Sequence, residues 1–379
     1  MFSSQPGGAS EEDKSVKFTG WAAVPDGKGV LQKWSYHPRP LAAREVEIEI
    51  THCGICGSDI HFSTEGWGPI TRPAIPGHEI VGTVVKRGDD ATHQLGDRVG
   101  VGCLVSCCRG PPVCGWCKKG EDQFCENKTV TFNSPFKDGR GGISEGGFAD
   151  RIRVYSDYAF TIPKEISSAE ATSFFCAGIT TYTPLKRYKA GPNTRLGVIG
   201  IGGLGHIALQ WAAAMGCREI VAISGRDNKK DEAFKLGATK FINTSDKEQI
   251  KEAARSIDLC LCTNASSNNN WEEYLSIMAP LSQLVLLALP EAPISFVGSH
   301  LVSQDVAIVG SHLGSKGDIV EMLEFAAKHG IRPWIEKRSF EDCNEACKDV
   351  HAGKPRYRIV LEMNPSASAS TSRHSFSSA

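Results

Sequence analysis

Apolar and charged residues alternate with period two along Glu45–Thr51, EVEIEIT, which predicts a strand with one face buried and the other in water. Lys17–Val24 and Leu31–Trp34 predict shorter strands around the turn-forming PDGKG. Ile80–Lys86 and Arg98–Val101 continue the strand character, with GDD and GDR as turns. This part reads as a β-rich barrel or sandwich. After a further strand at Ala149–Val154, a helix is predicted near Ser167–Phe175, capped by Ser167 or Ser168. From about Thr194 strands and helices alternate: strand Leu196–Ile199, helix Ile207–Met215, strand Glu219–Ile223, then strands near Lys240–Asn243, Asp258–Thr263, Ser282–Leu289 and Val306–Val309. That order predicts an α/β unit built on a doubly wound parallel sheet. Beyond a helix at Ile319–His329, strands Trp334–Arg338 and Tyr357–Glu362 are expected to return to the first domain.

A chain of 379 residues favours two domains. They are expected at 16–185 with 331–363, and at 186–330. The polar first 15 residues and the Ser-rich stretch 364–379 are expected to be disordered. The formal charge of -1 comes from well-mixed acids and bases, which argues against nucleic acid or a membrane surface as partner and leaves a small molecule. There is no apolar run of transmembrane length and no signal-peptide core at the N-terminus, so a cytoplasmic location is expected. In that reducing setting the 14 cysteines read first as metal ligands.

Two stretches concentrate such ligands. Between Thr51 and Glu79 stand Cys56, His78 and Glu79, a thiolate, an imidazole and a carboxylate of the kinds that hold a catalytic Zn²⁺ while leaving a position open. Ser58 and His61 follow Cys56 closely enough to carry a proton between the substrate oxygen and solvent. Cys176, in CAGITTY at the junction with the second domain, is read as the ligand that draws both domains onto that metal, in a cleft between them. The second stretch holds Cys114, Cys117 and Cys125, with Cys108 or Cys107 as the fourth ligand. Four thiolates close a tetrahedral shell and define a structural zinc.

The turn Gly200-Ile-Gly202-Gly203-Leu204-Gly205 follows a strand and opens a helix, the context that makes GxGxxG a dinucleotide fingerprint. After the second strand, Ser224 stands where a carboxylate would hold both ribose hydroxyls, and Arg226 and Lys229 lie just beyond. This favours NADP(H), with Asp227 the one dissenting residue.

The order GICGSDIH, PGHEIVG, GDRVGVGCLVSCC, the CxxC with a later cysteine, CAGIT and GIGGLG resembles the zinc-dependent medium-chain alcohol dehydrogenases. GVGCLV, GRDNKKDEA and the closing KPRYRIVLEM are most similar to the cinnamyl alcohol dehydrogenase group and its fungal NADPH-dependent relatives. The resemblance implies a GroES-like catalytic domain plus a Rossmann domain, and two zinc ions per chain. It also implies catalytic ligands Cys56, His78 and Cys176 with Glu79 exchangeable, Ser58 and His61 as relay, and Ser224, Arg226 and Lys229 around a 2′-phosphate. The substrate would be an aldehyde or alcohol, lined by Trp67, Pro69, Val130 and His312, and the assembly a homodimer joined through Leu281–Leu289 or Val306–Val309. One departure is the spacing of Cys108 and Cys114, which enclose RGPPV where the family usually has two residues. The rivals are a secondary-alcohol or polyol dehydrogenase using NAD, and a non-catalytic NADPH-binding protein.

Overall fold

The computed structural model describes residues 15–266, 269–289 and 293–363. The expected disordered ends, apart from Ser15, lie outside the described residues. Within them the chain packs as two units. One runs up to Phe175 and takes in 336–355 and the stretch from Ile359; the other comprises Cys176–Ile335 and Arg356–Arg358.

In the first unit, strands β1 (Phe18–Ala22) and β2 (Gln32–Tyr36) pair antiparallel, as the turn between them requires. The next strand, β3 (Glu45–Ile55), is the hub of the main sheet. It pairs along its length with β4 (Glu79–Arg87), which in turn pairs with β5 (Arg98–Val101). A small pair, β6 (Leu104–Ser106) with β7 (Thr129–Val130), brackets the cysteine-rich loop. On the other edge of β3, β8 (Arg151–Tyr155) covers Glu45–Glu49, while β9 (Phe160–Thr161) closes on β5. The core between these strands is made by Val46, Ile48, Ile50, Ile75, Phe148 and Ile152.

The expectation of a half-wet β3 holds at Glu49 and Thr51 but not at Glu45 and Glu47. Glu45 and Glu47 are as buried as the apolar positions between them. Their charges are met locally: Glu45 pairs with Arg39 and Arg140, and Glu47 with Arg151 at 2.9 Å and Arg153 at 2.8 Å. A buried carboxylate is tolerable only with such partners.

The second unit holds six parallel strands, β10 (Arg195–Ile199), β11 (Glu219–Ser224), β12 (Lys240–Asn243), β13 (Ile257–Cys262), β14 (Met278–Leu286) and β15 (Ala307–Gly310). Their spatial order is β12-β11-β10-β13-β14-β15, so the order reverses at β10, and ligands bind at such a point beyond the strands' carboxyl ends. β14 starts four residues before the expected Ser282, with a bulge in its pairing to β13. β16 (Ile335–Ser339) and β17 (Arg358–Glu362) extend the β3 sheet, with Ile359 opposite Ile55. No described helix is long and apolar enough to cross a membrane.

Candidate active site

The register of β3 and β4 puts Gly54 opposite Glu79. Gly54 has no Cβ because Glu79 Oε2 occupies that space; an added Cβ would lie 2.2 Å from it. Just beyond β3, Cys56 precedes helix α1 (Gly57–Ser63), and the chain returns through Gly77, whose φ of 98° turns His78 inward. The fourth residue arrives from elsewhere. Helix α2 (Ser168–Ser173) starts at Ser167, which accepts from Glu170 N while Glu170 reaches back to Ser167 N, a capping box. It runs into a π-helical turn, Phe174–Gly178, that carries Cys176; the preceding Phe175 ring fills the space beside Gly100.

One ligand atom from each of Cys56, His78, Glu79 and Cys176 falls within 4.8 Å of the others, and all four residues are buried. Two soft sulfurs with an imidazole and a carboxylate suit Zn²⁺. The two cysteines and the glutamate of this buried set could not all be ionised without a cation between them.

Sequence reading missed Asp59. Its buried carboxylate accepts from Cys56 N at 2.9 Å, Gly77 N at 3.0 Å and His78 Nδ1 at 2.8 Å, so it ties both loops together and fixes the orientation of the His78 ring. Burial disfavours a charged His78, but Asp59 and the Cys103 thiol outweigh it and raise the imidazole's pKa well above its ordinary value. Asp59 was overlooked because GSD draws attention to its hydroxyl neighbour. Asp59→Asn is expected to weaken zinc retention roughly 10–100-fold in a chelator competition, since ligand-orienting carboxylates carry effects of that size; retention equal to the parent protein would remove Asp59 from this role.

Ser58 and His61 lie three residues apart on α1 and therefore on one face. Ser58 Oγ is 3.8 Å from Cys56 Sγ. The His61 ring meets Trp67 edge-on at 5.0 Å. Trp67 is itself 54% exposed. Pro69, Val130 on β7 and His312 beyond β15 are also exposed. Phe132, two residues past Val130 and not anticipated, is the ring that packs against His78, at 5.9 Å. It escaped notice because TFNSP carries no periodic pattern.

The cysteine loop gathers Cys108, Cys114, Cys117 and Cys125 with their sulfurs within 4.8 Å. Cys108 therefore belongs to this group; Cys107 instead packs beside it and accepts from Arg109 Nη2 at 3.6 Å. Backbone and side-chain amides point at the sulfurs: Cys117 N to Cys114 at 3.5 Å, Asn127 N to Cys125 at 3.3 Å and Asn127 Nδ2 to Cys108 at 3.6 Å. The Cys117 amide, more than any other influence, draws the Cys114 thiol down to about 7, while burial pushes Cys117 and Cys125 up. Thiols this close do not all ionise alone, so a full thiolate set calls for a cation.

In the second unit Gly200 has a φ of 89°, and an added Cβ at Gly205 would strike Gly200 O at 1.9 Å. An added Cβ at Gly202 meets nothing within 4 Å, which leaves room for a phosphate group against the backbone. Gly203 and Leu204 complete the turn, and Gly205 opens helix α3 (Gly205–Ala214). A cleft of about 270 Å³ runs along this turn and the ends of β10, β11 and β13, lined by Gly200, Gly202, Ser224, Gly225, Lys229 and Thr244 among others. Lys229 Nζ donates to Ile201 O at 2.6 Å. Arg226 is exposed beside it. Asp227 does not line the cleft, and its carboxylate accepts from Asn243 Nδ2 at 2.9 Å.

Residues 42–164 match the alcohol dehydrogenase GroES-like domain, and residues 203–328 the zinc-binding dehydrogenase domain. The chain is 34% identical over 366 residues to a probable cinnamyl alcohol dehydrogenase 6 of Arabidopsis thaliana, covering 96% of this chain and 99% of that protein. With NADP-dependent alcohol dehydrogenase C 1 of Mycolicibacterium smegmatis it shares 38% identity over 335 residues, 88% of this chain and 94% of the relative. Among solved structures it superposes on a cinnamyl alcohol dehydrogenase from Sorghum bicolor with a TM-score of 0.87 and 32% identity, over 92% of this chain and 98% of that one.

Proposed function

This chain belongs to the zinc-dependent medium-chain alcohol dehydrogenases, in their cinnamyl alcohol dehydrogenase-like group, and from that membership we propose that it transfers a hydride between NADP(H) and an aldehyde/primary alcohol pair, reducing aromatic or medium-chain aldehydes. The observation that carries the cofactor reading is the lining of the cleft, which contains Lys229, Ser224 and Thr244 and no carboxylate. An acid at the end of β11 would repel a 2′-phosphate; a hydroxyl and an ammonium receive it. Arg226, exposed and close enough to Lys229 to act on its charge, adds a second cation. The similarity to an enzyme named NADP-dependent supports the same choice.

Each chain would hold two zinc ions, one on Cys56, His78, Glu79 and Cys176 and one on Cys108, Cys114, Cys117 and Cys125. The first, when bound, supplies a Lewis acid for the substrate oxygen, and the nicotinamide supplies the hydride. The protein's own part is proton management and shape. Ser58, beside Cys56, donates a proton to the substrate oxygen in reduction and takes it back in oxidation, and His61 on the same helix face exchanges it with solvent. Phe132 and Trp67 give the surroundings aromatic surface suited to an apolar aldehyde. Reduced thiolates on both metals accord with a cytoplasmic enzyme. The edge strand β15 and the exposed Leu281 and Leu289 offer the face for pairing two copies.

Purified, zinc-loaded protein should consume NADPH far faster than NADH on benzaldehyde-type and cinnamaldehyde-type substrates. Turnover restricted to NADH and polyols would replace this reading with a polyol dehydrogenase, and tight NADPH binding with no turnover would leave a binding protein. Ser58→Ala is expected to cut kcat about 10²-fold, the scale of a lost general acid, with zinc content unchanged. Full activity in that variant would exclude Ser58 from the relay.

A further inference from the structure

We infer that Tyr357 is a positioning residue for Lys229, holding its ammonium where an adenosine 2′-phosphate binds, and so helps set the choice between phosphorylated and unphosphorylated cofactor. The inference rests on the NADP(H) reading above.

Tyr357 sits immediately before β17, buried, with both its ring and its hydroxyl engaged. Lys229 Nζ lies 5.2 Å from the ring centroid, within cation–π range. The ring also stacks on His206 at 4.9 Å and 20°, and packs against Trp334 at 5.8 Å. His206 is fixed in its turn: Nε2 accepts from Trp334 N at 3.2 Å, so Nδ1 carries the proton and donates to Gly202 O at 3.0 Å. Burial pushes the His206 pKa down to about 3, so it adds no competing charge near Lys229. Tyr357 thus joins the glycine turn, through His206, to the lysine that lines the cleft.

Its hydroxyl performs a second task. Glu232, on the short helix Lys230–Lys235, stands three residues from Lys229, one helical turn on, and is the carboxylate there that Tyr357 engages. Tyr357 Oη donates to Glu232 Oε2, and Arg356 Nε holds the same oxygen at 3.2 Å. A carboxylate bonded to these two groups spends its acceptors on them rather than on the ammonium three residues before it. That leaves Lys229 with Ile201 O and the aromatic face as its supports, and donors to spare for a phosphate. A lysine stem left unsupported would have to be ordered on binding, and fixing it beforehand removes that cost.

The test is calorimetric binding of adenosine 2′,5′-bisphosphate and of 5′-AMP to the full-length, zinc-replete protein and to Tyr357→Leu, Tyr357→Phe and Lys229→Ala. Tyr357→Leu should raise the Kd for the bisphosphate roughly tenfold, the scale of a lost cation–π support, with little change for 5′-AMP. Tyr357→Phe keeps the ring and leaves Glu232 held by Arg356 alone, and should raise it about threefold; it carries the test if the leucine variant does not fold. Equal weakening of both ligands, or of neither, in the tyrosine variants overturns the positioning role. Should Lys229→Ala also leave the preference for the bisphosphate intact, the reading of Lys229 as the phosphate-binding group falls with it; a lost preference in Lys229→Ala alone leaves that reading standing without Tyr357.

Discussion

Cys56→Ala is expected to lose aldehyde reduction by about a thousandfold or more, and to retain one equivalent of zinc in place of two, while NADPH still binds. Cys56 is one of four donors gathered within 4.8 Å, and it is the one that also adjoins Ser58 and receives the N-terminal end of α1. Removing its sulfur leaves His78, Glu79 and Cys176, which lack the second thiolate. The Asp59 bond to Cys56 N is made by the backbone and survives the substitution, so the loops should keep their positions. The nucleotide cleft is built from residues of the second unit alone, so cofactor affinity reports whether that unit is intact. Zinc content by atomic emission, kcat with benzaldehyde and NADPH affinity separate the possibilities. An active variant with a single zinc would move the chemistry away from this cluster, and one that also lost NADPH binding would point to general misfolding.

The fold was legible wherever side-chain chemistry and backbone geometry repeat one another. The glycine turn is the clearest case: Gly200 needs its positive φ, Gly205 has no space for a Cβ and Gly202 faces an open one, and the flanking strand and helix are visible in the apolar pattern. The cysteine cluster was readable to within one choice, Cys107 or Cys108, because metal ligation restricts residue type and separation while RGPPV widens the first gap. Period-two alternation misled at β3, since charge in a sequence does not reveal whether an arginine will arrive from a distant strand to neutralise it. The helix Cys343–His351 went unread for a related reason. Its buried face is Cys343, Ala346 and Cys347, correctly spaced for a helix but too small to stand out as an apolar stripe. Asp59 and Phe132 belong to the same class, functional neighbours whose roles come from distant contacts with His78 rather than from any local motif.

Loss of the cysteine clip should act on stability where loss of Cys56 acts on catalysis. Cys125→Ser is expected to hold one zinc equivalent in place of two and to unfold roughly 10 °C lower, because metal binding in a small loop is folding free energy for that loop. The loop between Ser106 and Thr129 has few apolar contacts of its own. Its buried cluster is Leu104, Cys107, Cys125, Tyr155 and Tyr158, with the other three cysteines packed against it. Cys125 is the buried member of the four, and Asn127 N already points at its sulfur, so serine would leave that amide facing a poorer acceptor and zinc a weaker ligand. Limited proteolysis should then cut first between Cys108 and Cys125, while β3 to β5 and the second unit resist. Unchanged zinc content and melting temperature would mean that these four thiols serve another chemistry. A cut in β3 or β4 before one in the loop would mean that the clip supports the main sheet, which it touches at Tyr155 of β8, more than it supports itself.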